Sequence, residues 1–72
     1  MNKDSIEITK HTTDFTKWLA RLSDGRQYVV TTYPRSEVVF IEHSLSGRIV
    51  NGRLIRQTIL DLLANVSAGA QS

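Results

Sequence analysis

The last third of the chain carries the pattern that limits its fold most strongly. Between residues 53 and 66, apolar side chains recur every three or four positions, as they do on one face of an α-helix. Asn51 and Gly52 directly precede this segment, and Asn51 can cap its first turn. A helix with one apolar face needs another element to cover it, so the pattern predicts a layered domain. The residues of this face are Ile55, Ile59, Leu62, Leu63 and Val66.

The middle of the chain has the composition of a β-hairpin. Residues 27–33 and 37–43 are rich in β-branched and aromatic side chains, and residues 34–36 separate them as a short connection that contains the only proline. Both segments carry apolar residues on both faces near their middles, which predicts that part of the hairpin is covered on two sides. Residues 48–50 are compatible with a further short strand.

Residues 12–22 are compatible with two different structures. Four large apolar residues fall at helical spacing, and threonines before them can cap a helix, so a first helix is favoured. The alternative is a strand over residues 16–22 that turns at residues 23–25 into the hairpin, which would separate some of these apolar residues from the others. The four residues that a helix would align are Phe15, Trp18, Leu19 and Leu22.

Together these segments predict an α+β fold. Residues 5–9 alternate isoleucine with polar residues, as in a half-buried strand, so the predicted order is β-α-β-β-(β)-α. We expect a small antiparallel sheet of two to four strands with two helices. Residues 1–66 are predicted to form one domain and residues 67–72 a flexible C-terminal tail. So small a domain has a thin stability margin, and homodimer formation is a hypothesis on that ground.

The composition argues against several classes of function. The chain has no cysteine, and His11 and His43 could not fill a metal site alone, so no metal or other cofactor is expected. No catalytic motif occurs, and a domain of this size has little room to shield a reaction from water. We therefore expect neither an enzyme nor a small-molecule substrate. No apolar run approaches the ~18 residues of a membrane span, so a cytoplasmic protein without membrane contact is expected.

The predicted C-terminal helix has more apolar surface than one covered face requires. Leu54 and Leu60 lie outside the apolar arc, and Leu60 falls near two arginines. Arginine around an apolar centre is typical of protein interfaces. The prediction is a small protein-binding module, regulatory or inhibitory, that meets a protein partner or a second copy of itself. The residues predicted to contact the partner are Arg53, Leu54, Arg56 and Leu60.

Nucleic-acid binding, as in a small regulator, is the alternative. Nine basic and seven acidic residues give a net charge of +2, which is a weaker excess than nucleic-acid-binding domains usually show. The predicted strands in the middle of the chain argue against a helix-turn-helix arrangement. This alternative relies on basic residues that could contact phosphates, namely Lys10, Lys17, Arg21 and Arg48.

Overall fold

The structure is a computed structural model that describes residues 3–70. These residues form four strands and one helix. Consecutive strands pair antiparallel in the order β1-β2-β3-β4, and the helix packs on one face of the sheet. The α+β class is thus confirmed, whereas the expectation of two helices is wrong. The elements are β1 (Ser5–His11), β2 (Thr16–Arg21), β3 (Gln27–Tyr33), β4 (Ser36–His43) and α1 (Arg53–Ala70).

The predicted first helix is a strand, as in the alternative described above. Strand β2 pairs with β1 on one side and β3 on the other over its whole length. Trp18 and Ala20 face the helix, and the Trp18 indole N–H donates to Thr32 Oγ1 at 3.0 Å. Leu19 points to the opposite face, because successive side chains alternate along a strand. Pairing with two neighbouring strands therefore outweighed the helical spacing of the apolar residues.

A small core holds the helix against the sheet. Ala20, Tyr28, Val30 and Ile41 lie at the centre of one sheet face and are fully buried together with Ile59 of α1. The pairings of Trp18 with Val30 and of Val30 with Ile41 place these residues in register across β2, β3 and β4. Partly buried residues complete the cluster, namely Ile6, Trp18, Leu22, Val39, Val50, Ile55 and Leu63.

Helix α1 presents the predicted face to the sheet. Ile55, Ile59 and Leu63 contact the core, whereas Leu62 is half-buried and Val66 lies at the exposed margin. The Arg56 N–H donates to the Gly52 carbonyl at 3.0 Å, so the helix starts directly after Gly52. It runs to Ala70, so residues 67–70 of the predicted tail are helical, while residues 71 and 72 lie outside the described residues.

The predicted further strand at residues 48–50 is reduced to a single bridge. Ile49 pairs with Glu42 on the outer edge of β4. The His43 N–H donates to the Arg48 carbonyl at 2.9 Å, and the Val50 N–H donates to the Ile41 carbonyl at 2.8 Å. These bonds satisfy part of an edge that would otherwise offer free backbone groups to other chains.

The β2–β3 connection is a tight turn that depends on Gly25. Its φ of 94° lies in the left-handed region that favours glycine, and its N–H donates to the Leu22 carbonyl at 2.9 Å. Asp24 accepts a 2.6 Å hydrogen bond from the Arg26 side chain, and this bond holds the pKa of Asp24 below its usual range. The turn places β2 beside β3, which a helix over residues 12–22 could not do.

The β1–β2 connection depends on the hydroxyl of Thr12. Thr12 Oγ1 accepts hydrogen bonds from the Phe15 N–H at 3.0 Å and from the Asp14 N–H at 3.2 Å. The Thr12 N–H in turn donates to the Phe15 carbonyl at 2.9 Å. Thr12, a candidate helix cap in the sequence, therefore closes a turn between two strands. The same kind of hydrogen bond, from a nearby backbone amide to a threonine hydroxyl, occurs in helix caps and in turns.

We expect Thr12→Ala to lower the free energy of unfolding by about 1 kcal/mol, because two backbone amides lose their acceptor. The matched control is Thr13→Ala, since Thr13 is exposed in the same turn, and it should change stability by less than about 0.5 kcal/mol. Urea unfolding at one protein concentration measures both values. Equal effects of the two substitutions would contradict the role given to Thr12.

Candidate functional site

The second face of the sheet carries several apolar side chains that α1 does not cover. The alternation that directs Trp18, Val30 and Ile41 toward α1 directs their sequence neighbours away from it. No helix or strand in residues 3–70 covers these side chains. We call this surface the open face, and its apolar residues are Phe15, Leu19, Val29, Tyr33, Val38 and Phe40.

The apolar residues of the open face lie side by side. Val38 is 48% exposed and Phe40 is 43% exposed, although both lie within a strand. The rings of Tyr33 and Phe40 meet edge to face with their centroids 6.0 Å apart. Thr31, the cross-strand partner of Phe40, is only 7% exposed because the surrounding side chains cover it. A contiguous apolar patch of this kind on a folded domain is typical of a binding surface.

One end of the open face forms a shallow depression of about 660 Å³. Tyr33, Val38 and Phe40 supply its apolar wall, and the two turns at this end of the sheet supply its rim. Thr13 and Asp14 come from the β1–β2 turn. The β3–β4 turn adds Pro34 and Arg35, and the start of β4 adds Ser36. The depression therefore combines aromatic surface with polar and charged groups at its margin.

Two lysines lie side by side on the open face. Lys10 of β1 and Lys17 of β2 are cross-strand partners, so two like charges stand opposite each other. The ammonium group of each lies 5.9 Å from the centre of the Phe15 ring. A cation near an aromatic ring is attracted by the ring quadrupole. Like charges directly opposite each other destabilise a sheet, however, so this pair is not explained by the fold alone.

Acidic residues belong to the neighbouring set of cross-strand partners on the open face. Glu7 is paired with Leu19, and Glu42 is paired with Val29, so a carboxylate stands near each edge of the open face. Glu7 also forms a 3.4 Å salt bridge with Arg21. Both side chains of this bridge are more than half exposed, so solvent screens it. The open face therefore carries charges of both signs around an apolar centre.

The basic residues predicted for nucleic-acid binding do not form one surface. Lys10, Lys17 and Arg21 share the open face, although the sequence placed the last two on a helix. Arg48 lies apart from them, on the loop beyond the outer edge of β4. Their grouping follows from strand pairing, which brings residues 10 and 17 together across a turn.

The four residues predicted for protein binding on α1 differ in their exposure and in their contacts. Leu54 is 83% exposed and Arg53 is exposed, both in the first turn of the helix. Leu60 is half-buried. Arg56 donates from Nη1 to the Val39 carbonyl at 3.1 Å, on the outer edge of β4. One of the four residues thus satisfies a backbone group of the sheet edge, and Leu54 stands out as the most exposed member.

Both histidines contact other side chains of the sheet. His11 Nδ1 lies 2.8 Å from Thr16 Oγ1, and the His43 ring packs against Tyr28 with centroids 5.1 Å apart. Within the described residues, no group of three or more potential ligands is placed to hold a metal ion. Helix α1, the one helix within residues 3–70, is not long and apolar enough to cross a membrane.

The sequence pattern contained a signal for the open face. The hairpin segments carry apolar residues on both faces, and the prediction that part of the hairpin is covered twice followed from them. The structure covers one face with α1 and leaves Val29 and Phe40 on the other. Leu19 was missed as part of this surface because residues 12–22 were assigned to a helix.

Comparisons with protein-family models, with curated proteins and with solved structures found no match for this chain.

The two arginines of the predicted helix surface should differ in their effect on stability. Arg56→Met removes the hydrogen bond to Val39 and keeps an unbranched side chain, so we expect it to lower the free energy of unfolding by about 1 kcal/mol. Arg53→Met changes an exposed residue and should have an effect within about 0.5 kcal/mol. Thermal or urea unfolding of both variants tests this, and a larger loss for Arg53→Met would contradict it.

Proposed function

We propose that the protein is a non-enzymatic protein-binding module and that the open face is its binding surface. The observation that supports this most directly is the exposure of Val38 and Phe40 within a paired strand, with Tyr33 packed against Phe40. A two-layer domain needs only one apolar sheet face, and a second one gains from being covered by a partner. A domain of this size acts by occupying or blocking a surface, which favours a regulatory or inhibitory role.

The composition of the open face favours a protein partner over nucleic acid. Its centre is aliphatic as well as aromatic, with Leu19, Val29 and Val38 beside the rings. Single-stranded nucleic acid is typically bound by aromatic stacking within a basic groove. Here carboxylates of Glu7 and Glu42 stand near both edges of the face. Acidic groups in these positions would repel a phosphate backbone.

The helix surface remains a second prediction. Leu54 is exposed enough to contact a partner, and Arg53 lies beside it in the chain. Arg56 and Leu60 are less available, since Arg56 binds the edge of β4 and Leu60 is half-buried. We therefore propose the open face as the principal surface, and the two surfaces can be separated by substitution.

Affinity capture with matched variants tests the choice of surface. The tagged protein is expressed in its source cell together with an untagged copy, and the lysate is treated with nuclease before capture. Phe40→Glu should reduce capture of the protein partner at least about tenfold, because it places a charge at the centre of an apolar contact. Leu54→Glu, the matched control on the exposed side of α1, should leave capture unchanged.

Two further measurements keep this test decisive. Val38→Glu changes a second residue of the open face and should have the same effect as Phe40→Glu. Circular dichroism of each variant establishes that the sheet and helix are still formed. Loss of capture with Leu54→Glu and retention with both open-face variants would place binding on the helix and contradict the proposal.

A further inference from the structure

We infer that the protein that covers the open face is a second copy of this chain, packed face to face as a symmetric dimer. This inference rests on the proposed function, because it names the partner of the same surface. Three features of the described residues support it, namely the order of charges across the face, its dimensions and the small size of the core.

Strand pairing arranges the open face in two neighbouring rows. One row, the basic row, crosses the sheet through Lys10, Lys17, Thr31 and Phe40, which are successive cross-strand partners. The next row, the acidic row, crosses it in the same way through Glu7, Leu19, Val29 and Glu42. The rows lie two strand residues apart on β2, β3 and β4, which corresponds to roughly 7 Å.

A two-fold axis between the rows makes this pattern self-complementary. When two sheets face each other across an axis that runs perpendicular to the strands and midway between the rows, each basic row lies over the partner's acidic row. On β1 this brings Lys10 opposite Glu7 of the second copy. At the centre, Thr31 meets Val29 and Lys17 meets Leu19, and on β4 Phe40 meets Glu42. The opposite-charge contact is therefore Lys10 with Glu7, which the symmetry forms twice.

The other simple axis is disfavoured by the same charges. A two-fold axis parallel to the strands would keep each row opposite itself and exchange the two edges of the sheet. Glu7 would then face Glu42 of the second copy, and like charges would meet on both sides of the contact. The charges therefore select one of the two aligned arrangements, and both keep the strand directions within the ~30° typical of packed sheets.

The dimensions of the molecule suit such a contact. Its two larger extents are 30 and 29 Å, and the third is 21 Å. The sheet itself, with four strands of six to eight residues, measures about 19 by 20–26 Å. A stable interface buries about 800 Å² on each partner, so the contact would have to cover most of the open face. Among the described residues, only five hydrophobic side chains are buried in the single copy. Covering the open face would add Leu19, Val29 and Phe40 to the buried set and so support a fold with a small core.

Charge reversal at the paired positions tests the arrangement. Lys10→Glu leaves two acidic side chains facing two acidic ones in the homodimer, and Glu7→Lys leaves basic facing basic. We expect each substitution to raise the dimer Kd at least about tenfold in sedimentation measurements. When the two variants are mixed in equal amounts, the unlike copies become complementary. Native mass spectrometry should then show heterodimers well above the half that random pairing gives.

Matched controls make the same charge changes on α1. Arg53→Glu and Asp61→Lys alter exposed residues of the helix away from the open face. Each should keep the wild-type Kd, and their mixture should pair at random. Because Glu7→Lys also removes the salt bridge to Arg21, circular dichroism of each single variant is measured first to establish that it is folded.

Several outcomes would overturn the inference. A wild-type protein that stays monomeric at high micromolar concentration has no such dimer. A dimer that dissociates with Leu54→Glu but not with Phe40→Glu uses the helix instead. Charge variants that pair at random when mixed exclude the row-to-row arrangement.

The inference and the proposed function fail in different ways. If the captured protein is lost with Phe40→Glu but is not this chain, the proposed function stands and the self-association falls. If wild-type protein is monomeric and binds oligothymidine in a manner lost with Lys17→Ala, the open face binds single-stranded nucleic acid and both fall.

Discussion

The alternation of apolar side chains on both faces of β3 is the constraint on which the rest of the structure depends. Tyr28 and Val30 point to one side and meet Ile59 of the helix. Val29 and Thr31 point to the other side, where the described chain has no second helix to place. A β-strand cannot turn both sets inward, because successive side chains leave on opposite faces. One face of the sheet is therefore covered by α1, and the other has no covering element within residues 3–70.

Contacts outside the core cover part of the outer edge of β4. The loop before α1 pairs with the outer edge of β4 at Ile49, and Arg56 binds the Val39 carbonyl on the same edge. These contacts use groups that would otherwise be open to strand addition. The outer edge of β4 is thus partly occupied, whereas β1 forms the other edge of the sheet.

Strand pairing determines which charged side chains lie close together. In the sequence, six residues separate Lys10 from Lys17, and Arg21 lies in a segment with helical spacing. In the sheet, the two lysines stand opposite each other, while Arg21 and Glu7 form a salt bridge. The two lysines belong to one row of cross-strand partners, and Glu7 and Glu42 belong to the next. Neither row follows from the order of charges along the chain, since both arise from residues on different strands.

The sequence by itself determined the elements with strong local patterns. The apolar arc of α1, the hairpin formed by β3 and β4, and the α+β class all follow from periodicity and composition. Tertiary structure decided the conformation of residues 12–22, because pairing with strands on both sides outweighed a helical spacing that four apolar residues share. It also decided which apolar face is covered. Periodicity reveals that a strand has two apolar faces, but only the number and position of the packing layers determine which of them remains exposed.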